Sequence, residues 1–573
     1  MKSRRYLTAG AALGSAALLW RRRHRLLSRA LAVPRPAYAV MVSRSLQIPM
    51  RDGVRLAADL YSPRGDGPFP TLLIRSPYGR QWMPVMYARL LAQHGYHVLV
   101  QDARGRFGSE GEFAPFVHEA ADGVDTVAWM RRQSWFDGRL GTWGQSYLGY
   151  VQWALAATEP QAVQAIMPVI ASSRGAYTGA LYGVPWLELT VRWMVVLEAI
   201  DHLPGGNGRL SPIYAVTRTI PLTQSRILNG AFHTLPLGEA DVYALGREEP
   251  QFRQAMSGSP SAERDATDML PLLPRITAPA HLVGGWYDFM LPDLLADYRA
   301  LRDAGRRPFL TIGPWTHLDR GSGVVSLREG LAWFDAWLKG KEERLRPNPV
   351  ELYLLNAGEW LSYDEWPPPA TVVPFYAGSN GSLVPERPDA QVASTRFVYD
   401  PADPTPALGG ARFFAPAGRR DNRPLEARPD VITFTGPPLD ADLDVVGPVT
   451  AVLYVRAAGG HADFFARLCE VTPDGVSLNV CDGIYRLAPG TGEPQPDGSV
   501  RIEVDMVGTA YRFRRGHRLR LQISGGAFPR FARNLGDQDI GAPRHVLRPR
   551  VQTIYHDAEH PSALHLPLRS APA

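Results

Sequence analysis

The sequence predicts an α/β protein in three parts: a parallel sheet covered by helices, a helical segment inserted into it, and an all-β domain behind it. Three observations carry this. From about Val40, short apolar strands alternate with helical stretches, the pattern of a parallel sheet buried on both faces. The alternation breaks near Ser172 and resumes near His281. Beyond Pro347 the chain holds short β runs and turns, with no helical run of note. The expected divisions are a tail over 1–39, the first part of the core over 40–172, a helical cap over 173–272, the second part of the core over 273–346, and a β sandwich of jelly-roll type over 347–573.

Each element has its own signal. Ser45 to Met50 and Val54 to Tyr61 flank Arg51-Asp52-Gly53, a hairpin turn. Phe69 to Arg75 is an apolar run ending in Ser76-Pro77-Tyr78-Gly79-Arg80, and a helix with Met86, Leu90 and Leu91 follows it. His97 to Val100 is a second buried strand, leading into Gln101-Asp102-Ala103-Arg104-Gly105-Arg106. Helices are expected over Asp122–Arg132 and Ser146–Ala157, and a strand over Ala165–Ile170. The cap contains Trp186, Trp193 and the loop Pro204-Gly205-Gly206-Asn207-Gly208. Strands His281–Gly284 and Pro308–Ile312 and a helix Ser326–Leu338 complete the core. Pro367-Pro368-Pro369 reads as a stiff linker, and Val449–Val455, Phe464–Val471, Ser499–Val504 and Arg518–Ile523 as strands.

With 573 residues, 45% hydrophobic and 21% charged, the chain is an ordinary globular protein of several domains. Its net charge of +6 is misleading. Nine basic residues and no acid fall within the first 35 positions, and the rest of the chain carries −3, so no basic groove for nucleic acid is implied. Ser3-Arg4-Arg5-Tyr6-Leu7 followed by the apolar run Thr8–Trp20 resembles a twin-arginine export signal. Arg21-Arg22-Arg23-His24-Arg25 directly after it fits an uncleaved basic tail on a membrane surface equally well, and the location stays open between export, membrane association and the cytoplasm. The two cysteines, Cys469 and Cys481, exclude a disulfide scaffold and a cysteine zinc site, and two unlinked thiols are favoured over a cross-strand pair.

The chemistry centres on Gly141-Thr142-Trp143-Gly144-Gln145-Ser146-Tyr147-Leu148-Gly149, a strand, a sharp turn and a helix with a serine at the apex. Such a turn lifts Oγ clear of the sheet and aims the next N–H at a developing oxyanion. The second glycine comes one residue later than in the common G-x-S-x-G pattern. An α/β-hydrolase orders its triad Ser, Asp or Glu, His, each after a strand. Ser146, then Asp288 after His281–Gly284, then His317 after Pro308–Ile312 match that order. Ser146 would attack a carbonyl, His317 would move its proton, and Asp288 would hold the imidazole tautomer. The other histidines, His94 and His97 among them, read as structural, and no metal or cofactor is expected. The Tyr147 amide is one oxyanion donor by position. Tyr78 is either the second donor or a packed aromatic at a turn.

Together these stretches resemble the X-Pro dipeptidyl-peptidase family, and within it the cocaine esterase-like hydrolases, α-amino-acid ester hydrolases and cephalosporin acylases. The matching segments are Arg75-Ser76-Pro77-Tyr78, Gln101–Arg106, Gly144–Gly149, Gly285-Trp286-Tyr287-Asp288, Gly313-Pro314-Trp315-Thr316-His317, Asp440–Gly447 and Asp463–Asp482. The late Gly149 is the usual spelling in that family. The resemblance implies an α/β-hydrolase core with a helical cap and a C-terminal jelly roll, the triad Ser146, Asp288 and His317, and oxyanion donors at the Tyr78 hydroxyl and the Tyr147 amide. In the α-amino-acid ester hydrolases, carboxylates shortly after the catalytic Asp bind the substrate ammonium. Here Phe289-Met290-Leu291 follow Asp288, and a desolvated ammonium there would lack a partner. The expected substrate is therefore a small ester, or an amide, with an apolar or aromatic acyl group facing Trp186, Trp193, Phe289 and Met290. Dipeptidyl aminopeptidase or acylase activity is the alternative. The oligomeric state is left open.

Overall fold

A computed structural model describes residues 33–80, 83–175, 183–202, 227–257, 262–389, 391–536 and 547–569. Residues 1–32 of the tail assigned to an export signal or basic tail, the loop Pro204–Gly208 and His545 lie outside the described residues. In chain order the elements begin β1 (Val40–Pro49), β2 (Arg55–Pro63), β3 (Thr71–Ser76), α1 (Met83–Gln93), β4 (His97–Asp102), α2 (Glu119–Met130), β5 (Leu140–Gln145), α3 (Tyr147–Thr158) and β6 (Ala165–Val169). The described helices of the insertion are α4 (Leu187–His202), α5 (Ala240–Leu245), α6 (Pro250–Ser257) and α7 (Ala262–Thr267). Then come β7 (His281–Tyr287), α8 (Leu291–Asp303), β8 (Phe309–Thr316), α9 (Arg320–Lys339), β9 (Val350–Leu354) and β10 (Glu359–Tyr363). No helix among the described residues is long and apolar enough to cross a membrane.

The chain divides into two compact units. The first comprises Met1–Val169, Leu272–His281 and Arg320–Pro347. Its strands lie in the order β1-β2-β4-β3-β5-β6. β3 pairs in parallel with β4 and β5, and β5 with β6, while the β1–β2 hairpin is antiparallel. All residues of β3, β4 and β6 are buried, as unbroken apolar runs require. α9 packs closely on this sheet because Gly141 leaves no side chain in the way: a Cβ there would stand 2.9 Å from the Phe334 ring.

The second unit comprises Ile170–Pro271, Leu282–Asp319 and Asn348–Ala573. Its strands β7-β8-β9-β10 lie side by side, β8 and β9 parallel, β9 and β10 antiparallel. β9 and β10 follow Pro347 yet continue this sheet, β9 beside β8 and β10 beside β9, and the strands of the separate β domain begin at Thr371. β7 and β8 also run further than the sequence suggested. Gly285-Trp286-Tyr287 and Gly313–Thr316 are strand, not loop, so Asp288 and His317 are the first residues past the strand ends. Bare glycines allow this, since a Cβ on Gly285 would meet the Trp315 carbonyl at 2.4 Å. The β domain consists of antiparallel strands in two sheets, one of them the four-stranded Val431–Thr435, Arg518–Ser524, Ala462–Val471, Ser477–Leu487. Cys469 and Cys481 are free. A bulge between Leu468 and Cys469 sets Cys481 opposite Leu468 and Asn479 opposite Cys469, so the two cysteines are not cross-strand partners.

The two ends of the helical insertion are clasped together. The Met269 N–H donates to the Ser173 carbonyl at 3.0 Å, and Arg174 faces Asp268 at 3.5 Å. The same segment is pinned to α8. Ser173 donates to Asp297 through its N–H at 2.9 Å and its hydroxyl at 2.6 Å, and Arg174 lies 3.8 Å from Asp293. Inside the insertion, Leu187, Val191 and Met194 of α4 share a core with Phe232, Leu237, Phe252 and Met256.

Burial pushes the Asp293 carboxyl up to about 6, against the pull of Arg174. A carboxyl raised in the folded state keeps its full stabilising contribution below its unfolded value of 3.8 and loses it as pH rises through about 6. Asp293→Asn removes that loss. The melting temperature of the variant relative to the parent should therefore climb between pH 4 and pH 7, and a flat difference across paired melting curves would refute the assignment.

Candidate active site

The turn between β5 and α3 holds Ser146 at φ 57° and ψ −122°, a backbone region that residues with a side chain rarely occupy. Packing imposes it. The Ser146 N–H donates to the Val169 carbonyl at the end of β6 at 2.9 Å, and its own carbonyl accepts from Gly149 at 2.7 Å and Tyr150 at 3.1 Å as the helix begins. Gly144 supplies the close approach: a Cβ there would stand 2.4 Å from the Cβ of Leu148. Leu148 occupies the place of the usual second glycine and packs over Gly144, which explains why the motif tolerates its altered spelling. Ser146 itself is half-buried, and it belongs to the first unit.

Asp288 and His317 belong to the second unit and are brought together there. His317 Nδ1 lies 2.9 Å from Asp288 Oδ1, and the Met290 N–H donates to the same oxygen at 3.1 Å. Both residues are buried, with 1% and 5% exposure. An imidazole whose Nδ1–H is held by a carboxylate presents Nε2 as a base, the tautomer that general-base work requires.

Aromatic rings enclose this pair. Phe289 lies against the imidazole with centroids 4.3 Å apart, and Phe413 approaches it at 5.5 Å. Phe289 and Met290 share an apolar cluster with Leu189, Trp186, Ala411 and Phe413. Three of the four residues expected to face the substrate, Trp186, Phe289 and Met290, thus share one cluster, in which Phe289 lies against His317. Trp193, buried on α4, is not in that cluster. Sequence reasoning missed Phe413, which lies 96 residues beyond His317 in an unremarkable Arg412-Phe413-Phe414 run. A small cavity of about 30 Å³ borders Asp288, Phe289 and Trp186, with Asp482 and Arg530 on its wall. Asp482 is bound by Arg467 at 2.8 Å and Arg530 at 2.5 Å. Burial opposes its ionisation, but those two cations outweigh burial and hold its carboxyl below the ordinary value.

Tyr78 and Tyr147 meet in the first unit, ring edge to ring face at 6.4 Å. Tyr147 opens α3, where backbone N–H groups have no partner within the helix. The Gln101–Arg106 segment, legible in sequence only as a family mark, builds the turn that carries Tyr78. The Ala103 N–H donates to the Ser76 carbonyl, Arg106 Nε to the Pro77 carbonyl at 2.9 Å, and Asp102 pairs with Arg80. Gly105, at φ +67°, must be glycine, because a Cβ would fall 2.2 Å from the Phe113 nitrogen. His94 and His97 have structural partners, the Leu90 carbonyl and the Ser62 hydroxyl.

A serine, an acid and a histidine in this chain order, each at a strand end, define the class as an α/β-hydrolase serine esterase. The chain belongs to the X-Pro dipeptidyl-peptidase (S15) family. That family's sequence profile matches residues 52–319, and the profile of its C-terminal non-catalytic domain matches residues 345–565. The chain is 32% identical over 582 residues to the cocaine esterase of Rhodococcus sp. (strain MB1 Bresler), covering 92% of this chain and 98% of that one. Two solved structures share the fold. An aminopeptidase from the marine sediment archaeon Thaumarchaeota archaeon has a TM-score of 0.77 at 23% identity, covering 94% of this chain and 98% of its own. An α-amino acid ester hydrolase has a TM-score of 0.73 at 20% identity, with the same coverage.

Because the backbone at Ser146 is strained, Ser146→Gly should relieve about 1 kcal/mol or more and raise the denaturation midpoint. A midpoint lowered by the change would show that the positive φ is not a source of strain.

Proposed function

We propose that this chain hydrolyses small carboxylic esters with apolar or aromatic acyl groups through an acyl-enzyme on Ser146. In this reading Ser146 Oγ attacks the ester carbonyl as His317 Nε2 takes its proton. Asp288 holds the tautomer and stabilises the imidazolium that forms. The oxyanion accepts from the Tyr147 N–H and the Tyr78 hydroxyl. His317 returns its proton to the leaving alcohol, then activates the water that deacylates Ser146. The insertion over 173–272 acts as a cap that supplies Trp186 to the acyl pocket, and Phe289 and Met290 serve the same pocket, while Trp193 lies outside their cluster.

The observation that carries the ester reading is the apolar surround of His317. Leu189, Phe289, Met290, Ala411 and Phe413 offer no charge to a substrate ammonium. The nearby carboxylate of Asp482 is already engaged by two arginines. The 32% identity to an esterase over nearly the whole chain supports the same choice. Aminopeptidase or acylase activity on the same triad is the second reading, favoured by the family and by the aminopeptidase fold relative.

Ser146→Ala should lower turnover of p-nitrophenyl butyrate and benzoate by about 10⁴-fold or more, with an unchanged circular dichroism spectrum. The parent enzyme should prefer these esters to a Gly-Pro p-nitroanilide by a wide margin in kcat/KM. Undiminished activity of the alanine variant would remove Ser146 from the mechanism, and a preference for the dipeptide anilide would select the peptidase reading.

A further inference from the structure

The two segments assigned to the oxyanion hole are fastened to one buried ion pair. Arg75 stands in β3, three residues before Tyr78, and Glu119 is the first residue of α2. They are 2% and 4% exposed. Arg75 Nη2 lies 2.7 Å from Glu119 Oε2, a charge contact and not an aligned hydrogen bond. Arg75 Nη1 donates to the Glu119 backbone carbonyl at 2.6 Å, and Nε to Gln101 Oε1 at 3.1 Å. Gln101 in turn donates to Thr126 on α2 at 2.9 Å. The other Glu119 oxygen, Oε1, accepts the Tyr147 hydroxyl at 2.7 Å. That hydroxyl also accepts the Phe116 N–H at 2.9 Å, and the Tyr147 ring stacks on Phe116 at 4.5 Å.

A buried ion pair is a poor source of stability, since apolar residues of equal volume usually serve as well. Its use is to impose one arrangement on the groups it binds. Here those groups are the strand that delivers Tyr78 and the residue whose amide follows Ser146.

We propose that Arg75 and Glu119 are positioning residues for the oxyanion hole, acting through the Tyr147 hydroxyl on the Tyr147 amide and through β3 on Tyr78. The proposal rests on Ser146 being the nucleophile. The Tyr147 phenol is suited to the task. Burial first, and then the Glu119 charge, push its pKa well above the ordinary phenol value, so it remains a donor throughout the working range. A donor displaced by a fraction of an ångström loses most of its effect on the developing charge while ground-state binding survives.

The test measures Tyr147→Phe, which keeps ring and amide and loses only the hydroxyl, beside Glu119→Ala and Glu119→Gln. With p-nitrophenyl butyrate, Tyr147→Phe and Glu119→Ala should lower kcat by about 10- to 100-fold with KM within about threefold of the parent. Affinity for an aryl boronic acid, whose adduct on serine fills the oxyanion hole, should fall in parallel. Glu119→Gln keeps an acceptor for the Tyr147 hydroxyl and should retain more activity than Glu119→Ala. Unchanged kcat with a lowered melting temperature would overturn the proposal, as would an effect confined to KM. If a Glu119 variant does not fold, Tyr147→Phe decides alone. Ser146→Ala keeps the two readings apart: an inactive alanine variant beside a fully active Tyr147→Phe refutes the positioning role and leaves the nucleophile in place.

Discussion

Ser146 sits where a side-chain-bearing residue costs about 1–3 kcal/mol of backbone strain, and much of the first unit exists to hold it there. The restraint is local and tight. Val169 accepts the serine N–H, α3 begins on the serine carbonyl, and Leu148 closes over a glycine that has no room for a methyl group. Each contact is short-range, but each depends on β5 and β6 lying side by side in parallel. An all-buried parallel sheet is rigid enough to sustain such strain, and a surface loop would relax out of it.

The Asp288–His317 pair obeys a different logic. A carboxylate and an imidazole buried together need a fixed geometry and little water. Strand extension supplies the first, by carrying β7 and β8 to the residue before each functional group. The rings of Phe289 and Phe413 supply the second. Phe289, proposed as a wall for an acyl group, packs against the imidazole itself. Phe413 comes from the region matched by a profile described as non-catalytic, yet it touches the histidine proposed as the general base.

The arginine-rich motifs illustrate what a sequence conveys and what it withholds. Arg75, Arg104 and Arg106 stand out in the one-letter string as marks of a family. Their partners do not. Glu119 pairs with Arg75 and Asp122 with Arg104, 44 and 18 positions away, and no periodicity announces which acid meets which base. In space, the two acids in the first turn of α2 each take one arginine, and the whole set forms a frame beneath Tyr78 and Tyr147.

Sequence alone determined the alternation of strands and helices, the break for the helical insertion, the β domain and the order Ser146, Asp288, His317. Those features follow from local patterning and chain order, because hydrophobic periodicity and turn residues act over a few positions. Tertiary structure decided the rest. It placed β9 beside β8 and β10 beside β9, ran two strands up to Asp288 and His317, gathered Trp186, Phe289, Met290 and Phe413 into one cluster beside the His317 imidazole and left Trp193 outside it. It also joined Arg75 to Glu119 and Tyr147. These are long-range packing outcomes, set by which side chains fit against each other once the sheets have formed, and a linear pattern holds no record of that fit.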